Sequence, residues 1–201
     1  DARALYEIGL RYTDGSGVTS DYTEAAKWYA LSAERGFAPA QYRLGNFNEK
    51  GLGMPRDAAK ATKFYEQAAA QGNASAMHNL AVLYAMGPAG QVNNDSAAKW
   101  FFKAAELGVK DSQYNLGILT AKGLGRTQSL EESYKWFALA AEAGDADAAE
   151  KRDQVAKSLK PEQLERAVNL TKLWKPKDMI EDANSVHIPD AWTDEKAMPT
   201  A

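Results

Sequence analysis

The sequence predicts an all-α fold of stacked helix hairpins, because three columns of residues recur with a period of 36 and no insertion. Small residues occupy the first column, at Gly9, Gly45, Ala81 and Gly117. Aromatic residues occupy the second, at Trp28, Phe64, Trp100 and Trp136, and glycines the third, at Gly36, Gly72, Gly108 and Gly144. A fixed period of this length indicates a stack of one supersecondary unit.

Each unit contains two apolar runs at helical spacing, separated by a glycine-containing loop, which predicts a hairpin of helices A and B. Helix A is expected to end at the first glycine of a Gly-x-Gly pair, at Gly15, Gly51 and Gly123, since glycine adopts the left-handed C′ conformation without steric cost. Repeat three departs from this pattern with Gly87-Pro88-Ala89-Gly90. Helix B is expected to begin after a polar N-cap, at Asp21, Asp57, Asn93 and Ser129.

The glycine column inside helix A predicts close helix packing, since a glycine there costs about 1 kcal/mol relative to alanine. The large partners of these glycines are expected to be the aromatic pairs of helix B, which are Trp28-Tyr29, Phe64-Tyr65, Trp100-Phe101 and Trp136-Phe137. Helices A and B should therefore touch at this column.

The combined pattern, Ala-x-x-Leu-Gly followed by Gly-x-Gly, a polar cap, Ala-x-x-Trp-Tyr and Ala-Ala-x-x-Gly, resembles the Sel1-like repeat family, relatives of tetratricopeptide repeats. The resemblance covers about residues 2–150. It implies a right-handed α-solenoid of four Sel1-like hairpins, whose A helices line a concave surface and whose B helices form the convex side. It implies no particular reaction.

The domain organisation is predicted as four repeats over 1–145, capping helices over 146–174 and an irregular tail over 175–201 that packs on the solenoid. The first capping helix replaces the Leu-Gly pair by polar residues, as a terminal repeat facing water requires. Pro161 opens the second, and its buried face is expected to comprise Leu164, Val168, Leu173 and Trp174. The expected anchors of the tail are Ile180, Ile188 and Trp192, and the tail could lie in the ligand groove.

Composition excludes several functions. The net charge of −3 gives no basic footprint, so nucleic acid is not expected as a partner. The sequence contains no run of 18 apolar residues, so this segment is not expected to insert into a membrane, and no signal peptide is visible. The chain has no cysteine, which is compatible with an oxidising or a reducing compartment. It begins at Asp1 inside a helix-A pattern, which favours a piece of a longer or processed protein.

The candidate binding surface is the inner face of the A helices, by analogy with the tetratricopeptide hairpin. A ladder of rings is expected there at Tyr6, Tyr42, His78 and Tyr114, flanked by Glu7, Arg43, Asn79 and Asn115 and extended by Asn46, Glu49 and Lys50. Rings beside polar groups suit an extended peptide or a glycan strand. A packing role for the rings is the competing interpretation.

A second column, of lysines at Lys27, Lys63, Lys99 and Lys135, could attract an acidic partner, although a solvated helix face is the simpler interpretation.

No pattern in the sequence indicates catalysis. The two histidines, His78 and His187, are far apart and form no metal motif, and no cysteine or Gly-x-Ser-x-Gly nucleophile exists. The Gly-x-Gly loops follow helices rather than strands, so a phosphate site is rejected. We therefore expect no enzyme, no cofactor and no metal.

Three runs, Ser75–Ala85, Asp111–Gly125 and Ser133–Leu159, resemble more specifically the periplasmic C-terminal domain of PodJ-type polarity factors of alphaproteobacteria. That resemblance implies a periplasmic domain of a membrane-anchored scaffold that recruits signalling or cell-division proteins at a cell pole. The alternative is a peptidoglycan-binding module, with the ring ladder stacked on glycan chains. A cell-wall hydrolase would require two carboxylates converging across one cleft.

Overall fold

A computed structural model of the chain describes residues 1–87 and 91–186, and within these ranges it is all-helical, without a β-strand. The helices are α1 Ala2–Asp14, α2 Tyr22–Ala33, α3 Ala38–Lys50, α4 Ala58–Ala70, α5 Ala74–Met86, α6 Asn94–Glu106, α7 Lys110–Lys122, α8 Leu130–Glu142, α9 Ala146–Ala156, α10 Pro161–Leu173 and α11 Glu181–Asn184. Helices α1 and α2, α3 and α4, α5 and α6, and α7 and α8 pack as the predicted A/B hairpins. The predicted all-α class is confirmed.

Local sequence signals set the ends of these helices as predicted. Helices α1 and α3 end at Gly15 and Gly51, whose φ angles of 77° and 71° lie in the left-handed region. The N-cap side chains of all four B helices accept hydrogen bonds from backbone amides at the helix start, and these residues are Asp21, Asp57, Asn93 and Ser129. The hairpins are therefore delimited by chemistry that is visible in the sequence.

The glycine column of helix A lies against the second aromatic residue of each B-helix pair. A Cβ atom added at Gly9 would stand 2.8 Å from the ring of Tyr29, and one at Gly117 would stand 2.8 Å from the ring of Phe137. At Gly45 the approach to Tyr65 is closer still. The predicted packing reason for these glycines is thus present, and the large partner is the second member of the aromatic pair.

The described residues form two compact units. The first unit comprises residues 1–73 with 180–186, and the second comprises 74–179. The core of the first unit lies around Tyr6, Tyr29, Leu44 and Phe47. The second unit has one cluster around Phe101, Leu116 and Trp136 and another around Phe137 and Ala148.

Helices α9 and α10 pack against α8 within the second unit. The face that α10 buries comprises Ala167 and Thr171, and Trp174 stacks edge-on against Trp136 at 6.3 Å between ring centroids. Leu173 is 80% exposed, so its predicted burial is wrong. Small residues allow the close approach of α10 to α8, and this close contact leaves the larger Leu173 outside it.

The described part of the tail lies on turns that follow B helices. In the second unit, the Lys177 amide donates to the Glu106 carbonyl at 2.8 Å, and its ammonium pairs with the Glu106 carboxylate at 2.7 Å. In the first unit, Ile180 lies against Gly72, and Asn184 Nδ2 donates to the Gly72 carbonyl at 2.9 Å. Ile188 and Trp192, the other predicted anchors, lie outside the described residues.

Within the part of the chain that the structure describes, no helix is long and apolar enough to cross a membrane.

Candidate functional site

In the first unit, the predicted ladder residues pack on aromatic side chains rather than standing free. Tyr6, on α1, is buried, and its ring lies 5.4 Å from Tyr29 and 5.6 Å from Phe37. Tyr42, on α3, is half-buried, with its ring 6.0 Å from that of Tyr65. Each ladder ring therefore rests on the aromatic residue that faces the glycine column of its own repeat.

Polar groups contact the hydroxyls of Tyr6 and of Tyr65, the ring against which Tyr42 packs. Arg43 Nε donates to the Tyr6 hydroxyl at 3.3 Å. Burial opposes the Arg43 charge, but this hydrogen bond and the nearby tyrosine hydroxyls keep the Arg43 pKa above its usual value. The Tyr65 hydroxyl donates to Asn46 Oδ1 at 2.9 Å and lies 2.6 Å from Glu49 Oε2. The flank of the ladder thus carries two sets of polar contacts, one at the Tyr6 hydroxyl and one at the Tyr65 hydroxyl.

Glu7 contributes a carboxylate to the same face of α1. One of its oxygens accepts from Arg11 Nε at 3.4 Å, and the other is buried without a hydrogen-bond partner. Buried polar atoms are normally satisfied, so this oxygen is an exception within the candidate site.

In the second unit, His78 and Tyr114 occupy the ladder positions on α5 and α7. The His78 ring lies 5.7 Å from Phe101, and its Nδ1 is 2.8 Å from the Ser112 hydroxyl. Burial lowers the His78 pKa, with the Asp111 charge opposing the shift, so the imidazole is neutral near neutral pH. Tyr114 is half-buried, with its ring 5.7 Å from Phe137.

The amides predicted beside these two rings are half-buried on the same helices. Asn115 Nδ2 donates to the Asp111 carbonyl at 2.8 Å, one helical turn earlier. Asn79 occupies the equivalent position on α5. Contact of the predicted groove residues with a ligand stays a prediction, and the structure gives the four rings a packing role in addition.

The residues that support the ladder were not among the predicted site residues. They are the second members of the aromatic pairs, Tyr29, Tyr65, Phe101 and Phe137, which are almost fully buried. The signal for them was the repeat register, because each stands 20 residues after the glycine-column position that it covers, as Tyr29 does after Gly9.

The lysine column is not a uniform charged row. Lys27 pairs with Glu24 at 2.5 Å, and Lys63 is exposed. Lys135 is half-buried with its ammonium 4.0 Å from the ring centre of Trp136, and burial lowers its pKa. The position therefore serves local pairing and ring contacts in at least two of the repeats.

Among the described residues, no group of three or more His, Cys, Asp or Glu side chains could hold a metal ion.

Comparison with known proteins identifies the repeat. The Sel1 repeat family model matches residues 2–37, 38–73, 74–109 and 110–145. The structure of a Sel1 repeat protein from Oxalobacter formigenes is similar, with 32% identity and a TM-score of 0.73, over 86% of this chain and 69% of that chain. The structure of c5321, a protective antigen of uropathogenic Escherichia coli with an SLR fold, has 24% identity and a TM-score of 0.43, over 100% of this chain and 58% of that one. No match is found among curated proteins.

The match to the Sel1 repeat family and the similarity to the Oxalobacter formigenes structure confirm the predicted solenoid class of repeat fold. Sel1 repeats generally mediate protein–protein interaction, and the family is generally non-catalytic. Because the family model matches four consecutive segments that coincide with the four helix hairpins, this chain belongs to the Sel1 repeat family.

Proposed function

We propose that this chain is a non-catalytic docking module whose A helices bind an extended segment of a protein partner. The main support for the proposal is that Tyr42 and Tyr114 are half-buried and that their rings pack against the rings of Tyr65 and Phe137. A ring held in this way loses little conformational freedom when a ligand covers its open side.

Polar groups adjacent to these rings favour a peptide ligand over a glycan. Arg43 follows Tyr42 and Asn115 follows Tyr114, so each ring has a donor beside it for a peptide carbonyl. A continuous ladder stacked on sugar would require an open aromatic face at every ladder position, whereas Tyr6 is buried. Peptidoglycan binding is therefore the less supported alternative.

The biological setting of the proposal rests on sequence resemblance. The runs Ser75–Ala85, Asp111–Gly125 and Ser133–Leu159 resemble the C-terminal domain of PodJ-type polarity factors. We infer a periplasmic location, as part of a protein anchored in the inner membrane, and a role in recruiting signalling or cell-division partners to a cell pole.

The test is a pull-down from a periplasmic extract with the wild-type chain and the Tyr42→Ala/Tyr114→Ala variant, in parallel with sedimentation on purified peptidoglycan. The matched control is Tyr22→Ala/Tyr134→Ala, which removes two tyrosines from the B helices α2 and α8. Circular dichroism checks that each variant is folded.

A protein recovered by the wild type and the control but lost with the ladder variant supports the proposal. Recovery of a partner that is indifferent to both variants would place the binding surface elsewhere on the chain. Ladder-sensitive sedimentation with peptidoglycan, and no recovered protein, would contradict the protein-docking role.

A further inference from the structure

A cavity of about 300 Å³ lies between α7, α8 and α9 in the second unit. Its apolar walls are Ile118, Ala121, Phe137 and Val155, and its polar lining consists of Lys122, Lys151 and Gln154. The volume is at the lower end of the range for ligand pockets and suits one large side chain rather than a cofactor. Tyr114 and Ile118 pack in one cluster with Phe137, so the cavity adjoins a predicted ladder residue.

The α7 wall of the cavity is apolar at two positions that are polar in repeat two. There, Asn46 and Glu49 lie at the Tyr65 hydroxyl. The corresponding positions one and two helical turns after Tyr114 in repeat four carry Ile118 and Ala121, and the ring beneath them is Phe137, which has no hydroxyl to pair.

On its other side, the cavity is bounded by the capping helix α9. Ala148 is fully buried against α8 and fixes the start of this helix, and Val155 contributes the apolar wall near its end. Lys151 and Gln154 stand one turn apart, with Lys151 Nζ 3.4 Å from Gln154 Oε1. An ammonium group has three donors, so Lys151 keeps capacity for an acceptor on a partner.

The charge of the cavity is opposite to that of the chain. Its lining carries two lysines and no carboxylate, whereas the chain has a net charge of −3. Asp153, near Lys151 on α9, is paired with Arg152 at 2.8 Å. Two lysines at the rim of an apolar recess favour a partner whose inserted group is apolar and whose neighbouring groups are acidic.

We propose that this cavity receives one large apolar side chain of a partner protein segment that carries carboxylates on both sides of it. The apolar side chain contacts Ile118, Phe137 and Val155, and the carboxylates pair with Lys122 and Lys151. The proposal rests on the proposed docking function and specifies the chemistry of the segment bound by this part of the chain.

The probe is a fluorescein-labelled peptide, Asp-Asp-Trp-Asp-Asp with blocked ends, and the measurement is fluorescence anisotropy with the full chain. We expect saturable binding that weakens as salt is added. A peptide with alanine in place of tryptophan, and one with lysine in place of each aspartate, should each bind at least about tenfold more weakly, since each removes one of the two matched features.

Two variants test the cavity from different directions. Lys122→Glu/Lys151→Glu reverses the charge of the rim, and Ala121→Phe fills the apolar recess. Each should weaken binding by about tenfold or more. The control, Lys172→Glu/Lys175→Glu, makes the same change in net charge at two exposed lysines outside the cavity lining and should leave affinity within about twofold.

The proposal is wrong if the wild type shows no saturable binding, if the lysine or alanine peptide binds equally well, or if neither cavity variant weakens binding. It is also wrong if the charge-reversed variant instead dissociates a dimer of the wild-type chain in analytical ultracentrifugation, because the occupant would then be a second copy. A partner recovered in the ladder pull-down by the charge-reversed variant as well as by the wild type would leave the docking function standing while this inference fails.

Discussion

In the first unit, the ring that covers the glycine column belongs to a tyrosine in both repeats, whereas in the second unit it belongs to a phenylalanine in both. The Tyr29 hydroxyl lies 3.0 Å from Thr13 Oγ1, and the Tyr65 hydroxyl lies 2.6 Å from Glu49 Oε2. Thr13 and Glu49 occupy the same place in their repeats. Each buried hydroxyl therefore has a partner supplied by the A helix of its own repeat.

The second unit has apolar residues at every one of these positions. Phe101 and Phe137 carry no hydroxyl, and the place of Thr13 and Glu49 is taken by Ala85 and Ala121. A buried polar group without a partner is costly, so the ring and the A-helix residue are constrained to change together. The same repeat fold can therefore place either a hydrogen-bonding pair or an apolar pair at these two equivalent positions.

This difference determines what each unit can offer a ligand. In the first unit, Arg43 donates to the Tyr6 hydroxyl, and Asn46 and Glu49 lie at the Tyr65 hydroxyl. In the second, Ile118 and Ala121 stand at the corresponding positions beside Phe137, and they line a recess that also carries Lys122 and Lys151. The predictions below test this comparison in order of decreasing effect.

The largest effect is expected for Gly45→Leu, because the added side chain would collide with the Tyr65 ring. Overpacking at a close helix contact should lower the free energy of unfolding by about 3 kcal/mol. The measurement is urea denaturation followed by circular dichroism. Gly45→Ala is the matched variant, and it should cost less, since the equivalent position of repeat three is already Ala81. An unchanged free energy of unfolding for Gly45→Leu would contradict the packing explanation of the glycine column.

The second prediction concerns Phe101→Tyr, which gives repeat three the tyrosine found at this position in both repeats of the first unit. Phe101 is 2% exposed, and the register of the repeats directs a hydroxyl on this ring toward Val82 and Ala85. Phe101→Tyr should therefore lower the free energy of unfolding by about 2 kcal/mol, the cost of burying an unsatisfied hydroxyl.

Adding Ala85→Glu to Phe101→Tyr recreates the pair seen in repeat two and should restore part of the lost stability. A Phe101→Tyr variant as stable as the wild type would show that the two units do not differ in their tolerance of a hydroxyl.

The third prediction concerns alkaline pH. Burial raises the pKa of Tyr29 to about 12, and the Thr13 hydrogen bond opposes the shift. The folded state thus holds this proton more tightly than the unfolded state, whose tyrosine pKa is about 10. Stability linked to Tyr29 is complete below about pH 10 and is lost as the pH rises toward 12.

Comparison of urea unfolding at about pH 9 and about pH 11 should show that the wild type loses about 1.4 kcal/mol more than Tyr29→Phe. Equal losses in the two proteins would mean that Tyr29 does not titrate abnormally. Phe101 and Phe137, at the equivalent positions of the second unit, have no ionisable hydroxyl, so the loss of stability at alkaline pH from this position is expected only in the first unit.

Features determined by neighbouring residues could be predicted from the sequence. The left-handed glycine at Gly51 and the N-cap at Asp57 depend on a few adjacent positions, and both lie where the repeat pattern indicated. The ladder residues were assigned to the correct helices, since the register fixes them. That their rings pack on the second aromatic residue, as Tyr42 does on Tyr65, depends on helix orientation and could not be read from spacing alone.

The capping helices show more clearly what could not be predicted from the sequence. Hydrophobicity favoured Leu173 for the buried face of α10, but the helix approaches α8 through Ala167 and Thr171, where small side chains permit contact. The cavity beside Phe137 was also not predicted, because it requires α9 to be placed against α7 and α8. The exchange of Glu49 for Ala121 between repeats was visible in the sequence, but it indicates only that this wall of α7 is apolar.

The smallest effect is expected for Tyr65→Phe, which converts the first unit toward the second. Loss of the hydroxyl contacts with Asn46 and Glu49 should cost about 1 kcal/mol, since Glu49 is half-buried and water can replace part of the bond. The measurement is a double-mutant cycle with Glu49→Ala, read by urea denaturation. A coupling energy below about 0.3 kcal/mol would mean that the tyrosine and its A-helix partner vary independently. A coupling near 1 kcal/mol would instead mean that the Tyr65 hydroxyl favours a polar residue at position 49. Phe137 has no hydroxyl, so the equivalent position in the second unit can be Ala121, which lines the recess.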